Sequence, residues 1–163
     1  MAANKATVSV SASLGPDEAQ MNVGGTIVYD LADMAGDDVK WIYMANDIDN
    51  SSEVIIPAGV GYLAKGVTGD TTPTVTHAND CVEFLVIKHS GYRADGTTVS
   101  TDNVFFNFEH GEAAADAVDN LVLEPGDVWW GRFKGTGDSA DFTAIAAAND
   151  VKLLIWAALD DVA

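Results

Sequence analysis

Apolar and polar residues alternate with a period of two along most of the chain, and that period predicts strands. Thr26–Ala32 sets Ile27, Tyr29 and Leu31 against Thr26, Val28 and Asp30, the pattern of a half-buried strand. Val39–Ala45 repeats it, with Val39, Trp41, Tyr43 and Ala45 opposed to Lys40, Ile42 and Met44. The AGDD segment before it supplies turn residues, so the two runs read as a hairpin or meander. Glu53–Leu63 is interrupted by Pro57, Gly59 and Gly61, which makes it either a bent edge strand or two short strands joined at a bulge. Cys81–Lys88 is apolar on both sets of positions except for Glu83, as a central strand covered on both sides is. Gly91 and Asp95-Gly96 then mark turns.

Asn103–Phe108 alternates cleanly, with Val104, Phe106 and Phe108 on one side and Asn103, Phe105 and Asn107 on the other. Gly111–Asn120 is the one stretch with helical composition, and it is long enough only for a turn or two inside a loop. Two further strands, Asn120–Glu124 and Asp127–Phe133, flank Pro125-Gly126, a pair suited to a turn. Asp141–Ala148 carries both helix-favouring alanines and strand-favouring Phe142, Thr143 and Ile145. The turn pair Asn149-Asp150 ahead of the strong strand Val151–Leu159 tips it to strand. About eight to ten short strands with Gly- or Asp-rich turns predict an all-β protein, a β-sandwich or jelly-roll-like single domain over 26–163. An extended N-terminal arm, 1–25, precedes it, because Gly15-Pro16 and Gly24-Gly25 break the chain there.

Composition narrows what such a domain does. The chain has 163 residues, 48% of them hydrophobic, enough to bury a core without disulfides. Eight Lys and Arg against 25 Asp and Glu give a net charge of −17, which repels a phosphate backbone and argues against nucleic acid as a partner. Asp outnumbers Glu 19 to 6, which suits turns more than helix surfaces. Cys81 is the only cysteine and sits against an apolar run, so a small buried hydrophobe is the expected role rather than a reactive thiol. The N-terminal residues alternate Val with Ser where a secretory signal needs an unbroken apolar stretch, and the longest apolar run, near Leu153–Leu159, is too short for a membrane span. Synthesis in a cytosol, with no membrane partner, is the expectation.

Candidate chemistry is thin. His77, His89 and His110 lie in three separate segments and none has a second histidine at ligand spacing, so no metal site is expected. Asp47, Asp49 and Glu53 place oxygens at alternate positions as a calcium loop does. An EF-hand loop needs Gly and Glu where this chain has Ser52 and Ala58, which favours a solvated turn. Nucleophile and phosphate-loop motifs are absent, and no cofactor is implied. Trp129-Trp130 is more informative. Neighbours on a strand face opposite ways, so either two layers cover both indoles or one of them meets solvent, a sugar or another subunit. Arg132 shares a face with Trp130 and can pair with a carboxylate of an acidic neighbour. Val8 and Val10 in the arm can add a strand to a neighbour. Val8, Val10, Trp129, Trp130 and Arg132 are therefore the candidate interface residues, and the expected protein is not an enzyme.

The order CVEFLVIKHSG, NVFFNFEHGE, NLVLEPGDVWWGRF and DFTAIAAANDVKLLIWAALDD, over Cys81–Asp161, resembles the capsid decoration or cement proteins of tailed bacteriophages. In those proteins an apolar strand and turn are followed by a Leu-Pro-Gly-acid corner, an aromatic strand and an Ala-rich terminal hairpin. The resemblance implies a structural virion protein with a jelly-roll or related sandwich, usually a homotrimer. It would sit on the outer surface of the shell against the major capsid protein, and be made in the host cytoplasm. Two other classes fit the same residues: a carbohydrate-binding β-sandwich module with a Trp stacked on a sugar, and a β-sandwich hydrolase with a carboxylate pair.

Overall fold

The structure, a computed structural model, describes residues 5–13, 22–30, 39–61, 64–65, 74–78, 80–108, 121–133 and 138–161. The chain divides into two compact units, Met1–Gly36 and Asp37–Ala163. In the first, β1 (Lys5–Ser13) and β2 (Asn22–Asp30) form an antiparallel two-stranded ribbon, in register from Lys5 opposite Asp30 to Ser13 opposite Asn22. The strand expected to begin at Thr26 thus begins at Asn22 and runs through position 25, where the sequence pattern ends the arm. Val8 pairs with Ile27 and Val10 with Gly25. Thr7, Ser9 and Thr26 occupy the alternate positions and are exposed, and the Ser9 and Thr26 hydroxyls lie 3.2 Å apart across the ribbon.

The second unit is built from β3 (Val39–Ile48), β4 (Glu53–Val54), β5 (Ala64–Lys65), β6 (Asp80–Arg93), β7 (Val104–Asn107), β8 (Leu121–Leu123), β9 (Val128–Arg132), β10 (Thr143–Ala146) and β11 (Val151–Asp161). All of its strand pairs are antiparallel, and they make a five-stranded sheet, β5-β3-β11-β6-β9, and a four-stranded sheet, β4-β10-β7-β8. The pairing is nested. β3 pairs with β11, β4 with β10, β6 with β9 and β7 with β8. One long antiparallel ribbon, with its bend between β7 and β8, is therefore rolled over so that β11 also meets β6 and β10 also meets β7. That is the strand order of a jelly roll.

Two layers form because each sheet has an apolar inner face that must be buried. Ile42, Leu85, Ile87, Leu153 and Ile155 from the five-stranded sheet pack with Val104, Phe106, Leu123, Ala144 and Ala146 from the other, all fully or almost fully buried. Trp129 belongs to this inner side. Its ring lies 5.0 Å from that of Phe108 and 6.0 Å from that of Phe133, and Phe133 meets Phe142 edge-on at 4.7 Å. Gly131 follows Trp129 on the same face because a Cβ there would stand 2.3 Å from the indole.

Several local expectations change in the assembled sheets. Among the described residues β2 pairs with β1, whereas β3 pairs with β5 and β11, so the hairpin expected between 26–32 and 39–45 does not form. Pro125-Gly126 does make a turn, with Gly126 at φ +94° and the Asp127 amide donating to the Glu124 carbonyl at 2.9 Å. It carries the chain from one sheet to the other. The same holds for β10 and β11, which lie in different sheets rather than in a terminal hairpin. A 3-10 turn, Ser139–Asp141, takes up the first residue of the segment expected as strand, and the strand begins at Thr143. The helical turn expected over Gly111–Asn120 lies outside the described residues.

Candidate interaction surface

The outer face of the five-stranded sheet is the most distinctive surface of the second unit. Residues that point away from the core line up in rows across β3, β11, β6 and β9: Trp41, Ala158, Phe84 and Arg132 in one, then Tyr43, Trp156, Val86 and Trp130, then Ala45, Leu154, Lys88 and Val128. A row of this kind arises because strand neighbours in register share a face. The rings cover one another. Trp156 stacks on Trp41 at 4.8 Å and 6° between planes, meets Phe84 edge-on at 5.9 Å, and Trp130 tilts over Phe84 at 6.4 Å. Trp41 and Phe84 are buried, Trp130, Trp156, Val86 and Leu154 half-buried, and Tyr43 and Val128 remain 57% and 55% exposed.

The candidate residues named from sequence are therefore split. Trp129 turns inward to the aromatic core, while Trp130 and the exposed Arg132 stand on the outer face. Val8 and Val10 sit in the ribbon of the first unit. Tyr43 and Trp156 complete the row of Trp130, and Trp41 and Phe84 stand in the row of Arg132, residues the sequence reading does not name as candidates. Their signal was present: β3, β6 and β11 carry large apolar residues at both sets of alternating positions, which asks for cover on both faces.

The charges on this face differ from those of the chain as a whole. Lys88, Arg132 and Lys152 stand at outward positions with Asp47 and Asp160, and Glu83, in the bulge of β6 beside Phe84, adds a third carboxylate, a near balance in a chain of −17. Lys152 and Asp47 already form an ion pair at 2.7 Å.

The other candidate groups are occupied by local structure. Asp49 accepts from the Ser51 amide at 2.6 Å and from its hydroxyl, and Glu53 accepts from the Asp49 amide at 3.4 Å. Among the described residues no three carboxylate, His or Cys groups are arranged to hold a metal ion. His77 bonds the Ile56 carbonyl at 2.9 Å, and His110 lies outside the described residues. Cys81 is buried, and burial, followed by the charges of Asp138, Asp160, Glu83 and Asp80, pushes its thiol up. That environment disfavours a thiolate. A depression of about 390 Å³ at the end of the sandwich is lined by Arg93, Asp95, Asn149 and Asp150 among others. Asp95 is already spent there on the Thr97 and Thr98 amides, both at 2.8 Å.

Two of these carboxylates respond to pH in opposite senses. Burial, then the charges of Asp49, Asp150 and Asp47, raise Glu53 against the Asp49 amide bond that lowers it. A carboxyl raised by folding costs stability when ionised, and the cost disappears once the pH falls below its unfolded value. Glu53→Gln is therefore expected to raise the denaturation midpoint at pH 7, with the gain vanishing below the ordinary glutamate value of 4.5. Asp95 behaves inversely, because bonds from Thr98 and Thr97 hold it below the usual aspartate range. Its contribution is present at neutral pH and lost as pH falls through its lowered value. Urea titrations of wild type and Glu53→Gln at pH 7 and pH 4, and of wild type and Asp95→Ala at pH 7 and well below the ordinary aspartate value of 3.8, check both signs.

Comparison with protein-family models, with curated proteins and with solved structures finds no match for the chain.

Proposed function

We propose that the protein is a non-enzymatic structural protein of a bacteriophage virion, a capsid decoration or cement protein. In this reading it sits as a homotrimer on the outer surface formed by the major capsid protein and stabilises the shell. The observation that carries the reading is the outward aromatic row Tyr43, Trp156, Val86 and Trp130 on a jelly-roll-like body. A large apolar face of this kind on a strongly acidic protein marks an interaction surface. The sequence resemblance over Cys81–Asp161 supplies the class of assembly. Engagement of His77, Asp49 and Asp95 with nearby backbone, and the burial of Cys81, support a structural role over a catalytic one.

The same row favours a second reading, a carbohydrate-binding module, since indole and phenol rings stack on sugars. Density outside the shell in images of particles of the phage that carries the gene, lost when the gene is deleted, is the expected result. Particles with identical outer surfaces, together with retardation of the purified protein in a polysaccharide gel, would overturn it in favour of the module.

A further inference from the structure

We infer that the free edge of β1 pairs with the free edge of β1 in a second copy of this chain, antiparallel and about a two-fold axis at Ser9. The inference goes beyond the proposed function and does not rest on it. It concerns the first unit alone.

The edge is open. Among the described strands β1 pairs with β2 and with no other, so one side of it has no neighbour. Edges of this kind are normally blunted by a charge, a proline or a bulge. β1 has none of these from Ala6 to Ser13: its register with β2 runs from Lys5 to Ser13 without a shift, and its one charge is Lys5 at the end. Thr7 and Ser9 are exposed on one face of the strand.

The order of residues in β1 selects the occupant. KATVSVSAS is symmetric about Ser9, with Val8 matching Val10, Thr7 matching Ser11 and Ala6 matching Ala12. Two copies paired antiparallel about that residue set Ser9 against Ser9, valine against valine, hydroxyl against hydroxyl and alanine against alanine. β-Branched pairs and Thr–Ser hydroxyl pairs are favourable cross-strand neighbours, and the Ser9 and Thr26 hydroxyls already stand 3.2 Å apart in this way within the ribbon. Paired positions are both odd or both even, so the backbone groups that β2 leaves free on one copy face those left free on the other, for about eight to ten hydrogen bonds. β2 offers no such match. Folding it back about Thr26 sets Gly25 against Ile27 and Gly24 against Val28, and a glycine brings no side chain to the pair.

Charge permits the approach at this strand. Residues 1–16 contain no carboxylate in a chain that has 25, so two bodies of −17 come together along β1 without setting acid against acid. A two-stranded ribbon by itself is marginal in water, and the pairing turns two of them into a four-stranded sheet, β2-β1-β1-β2. Because the same edge is used on both copies, the contact closes on itself. In a homotrimer it joins one trimer to the next, since a two-fold contact does not close a ring of three.

Cysteine variants of the full chain test this, with the native Cys81 buried and silent. Ser9→Cys is expected to give a disulfide-linked dimer at low micromolar concentration under mild oxidation, because facing Cα atoms stand about 4.5–5.5 Å apart, within disulfide reach. Thr7→Cys should not link to itself, since an offset of four residues separates the two copies by roughly 14 Å, yet it should link when mixed with Ser11→Cys. Sedimentation velocity supplies a second readout. Ser9→Glu and Ser9→Lys should each raise the self-dissociation constant at least about fivefold by setting like charges against each other, and an equimolar mixture of the two chains should recover it. A Ser9→Cys chain that stays a free-thiol monomer, or that links no faster than Thr7→Cys alone, overturns the inference. So do Ser9→Glu and Ser9→Lys chains that associate as wild type does. None of these readouts uses a capsid, so the decoration reading stands or falls separately.

Discussion

Phe106→Ala is expected to destabilise the second unit by about 3–5 kcal/mol, the range for removing a buried phenyl ring from a packed core. Phe106 is 1% exposed and sits at the middle of β7, opposite Ala144 on β10 and Leu121 on β8. Ala144 is too small to move into the space, and Ala146 lines the same inner face, so the cavity stays open rather than collapsing. Phe108 packs against Phe106 at 6.0 Å and would lose a ring neighbour as well. The control is one residue away. Phe105 points outward, opposite Val122 and Ile145, and is half-buried, so Phe105→Ala should cost far less, about 1 kcal/mol. Urea denaturation of both variants reads the difference directly. Equal losses would mean that the inner and outer faces of β7 have been assigned the wrong way round, and the four-stranded sheet with them.

The in-and-out assignment of β7 was legible in the sequence because Asn103–Phe108 has a clean period of two. Strand geometry alone also turns Trp129 and Trp130 to opposite faces, but it does not say which of them enters the core or whether a second layer covers both. Partner choice was not legible. A strand's alternation says which residues share a face but not which strand lies beside it, and a jelly roll pairs first with last. β3 and β11 are the extreme case, joined from Val39 opposite Asp160 to Ile48 opposite Val151. Local turn signals therefore misled in a specific way. Pro125-Gly126 and Asn149-Asp150 are real corners, but each moves the chain to the other sheet instead of reversing it within one. The hairpin reading assumed that the nearest strand in sequence is the nearest in space.

The candidate surface was half legible for the same reason. Trp130 and Arg132 lie on one strand, so their shared face could be read directly. Tyr43 and Trp156 reach that face only because β11 is brought beside β6 and β3 beside β11, pairings between strands far apart in the chain. A hint did exist in the composition of those strands. Val151–Leu159 has apolar residues at every position but Lys152, and only the alternate ones, Val151, Leu153, Ile155, Ala157 and Leu159, are needed to fill the core. Leu154 and Trp156 were the surplus that pointed to an outer apolar face.

Replacing His89 with leucine is expected to cost about 2–4 kcal/mol even though leucine is apolar and close in size, because two backbone groups lose their partner. His89 is fully buried near the end of β6. Its Nδ1 accepts from the Gly91 amide at 3.0 Å, and its Nε2 lies 2.9 Å from the Asp102 carbonyl. An amide can only donate and a carbonyl can only accept, so the ring carries its hydrogen on Nε2 and none on Nδ1. The imidazole thereby ties the end of β6 to the segment that leads into β7. Around it the Ser100 amide donates to the Gly91 carbonyl at 2.9 Å and Asn149 donates to the Asp102 carboxylate at 2.8 Å. Gly91 holds φ +84°, so the backbone there is fixed in a form that few residues adopt and has little freedom to turn its amide to another acceptor. His89→Leu should therefore lower the urea midpoint and speed hydrogen exchange at the Gly91 amide. His89→Gln, which keeps one donor and one acceptor, should recover part of both. A leucine variant as stable as wild type, with the Gly91 amide still protected, would mean that these backbone groups have other partners and that the histidine is only filler.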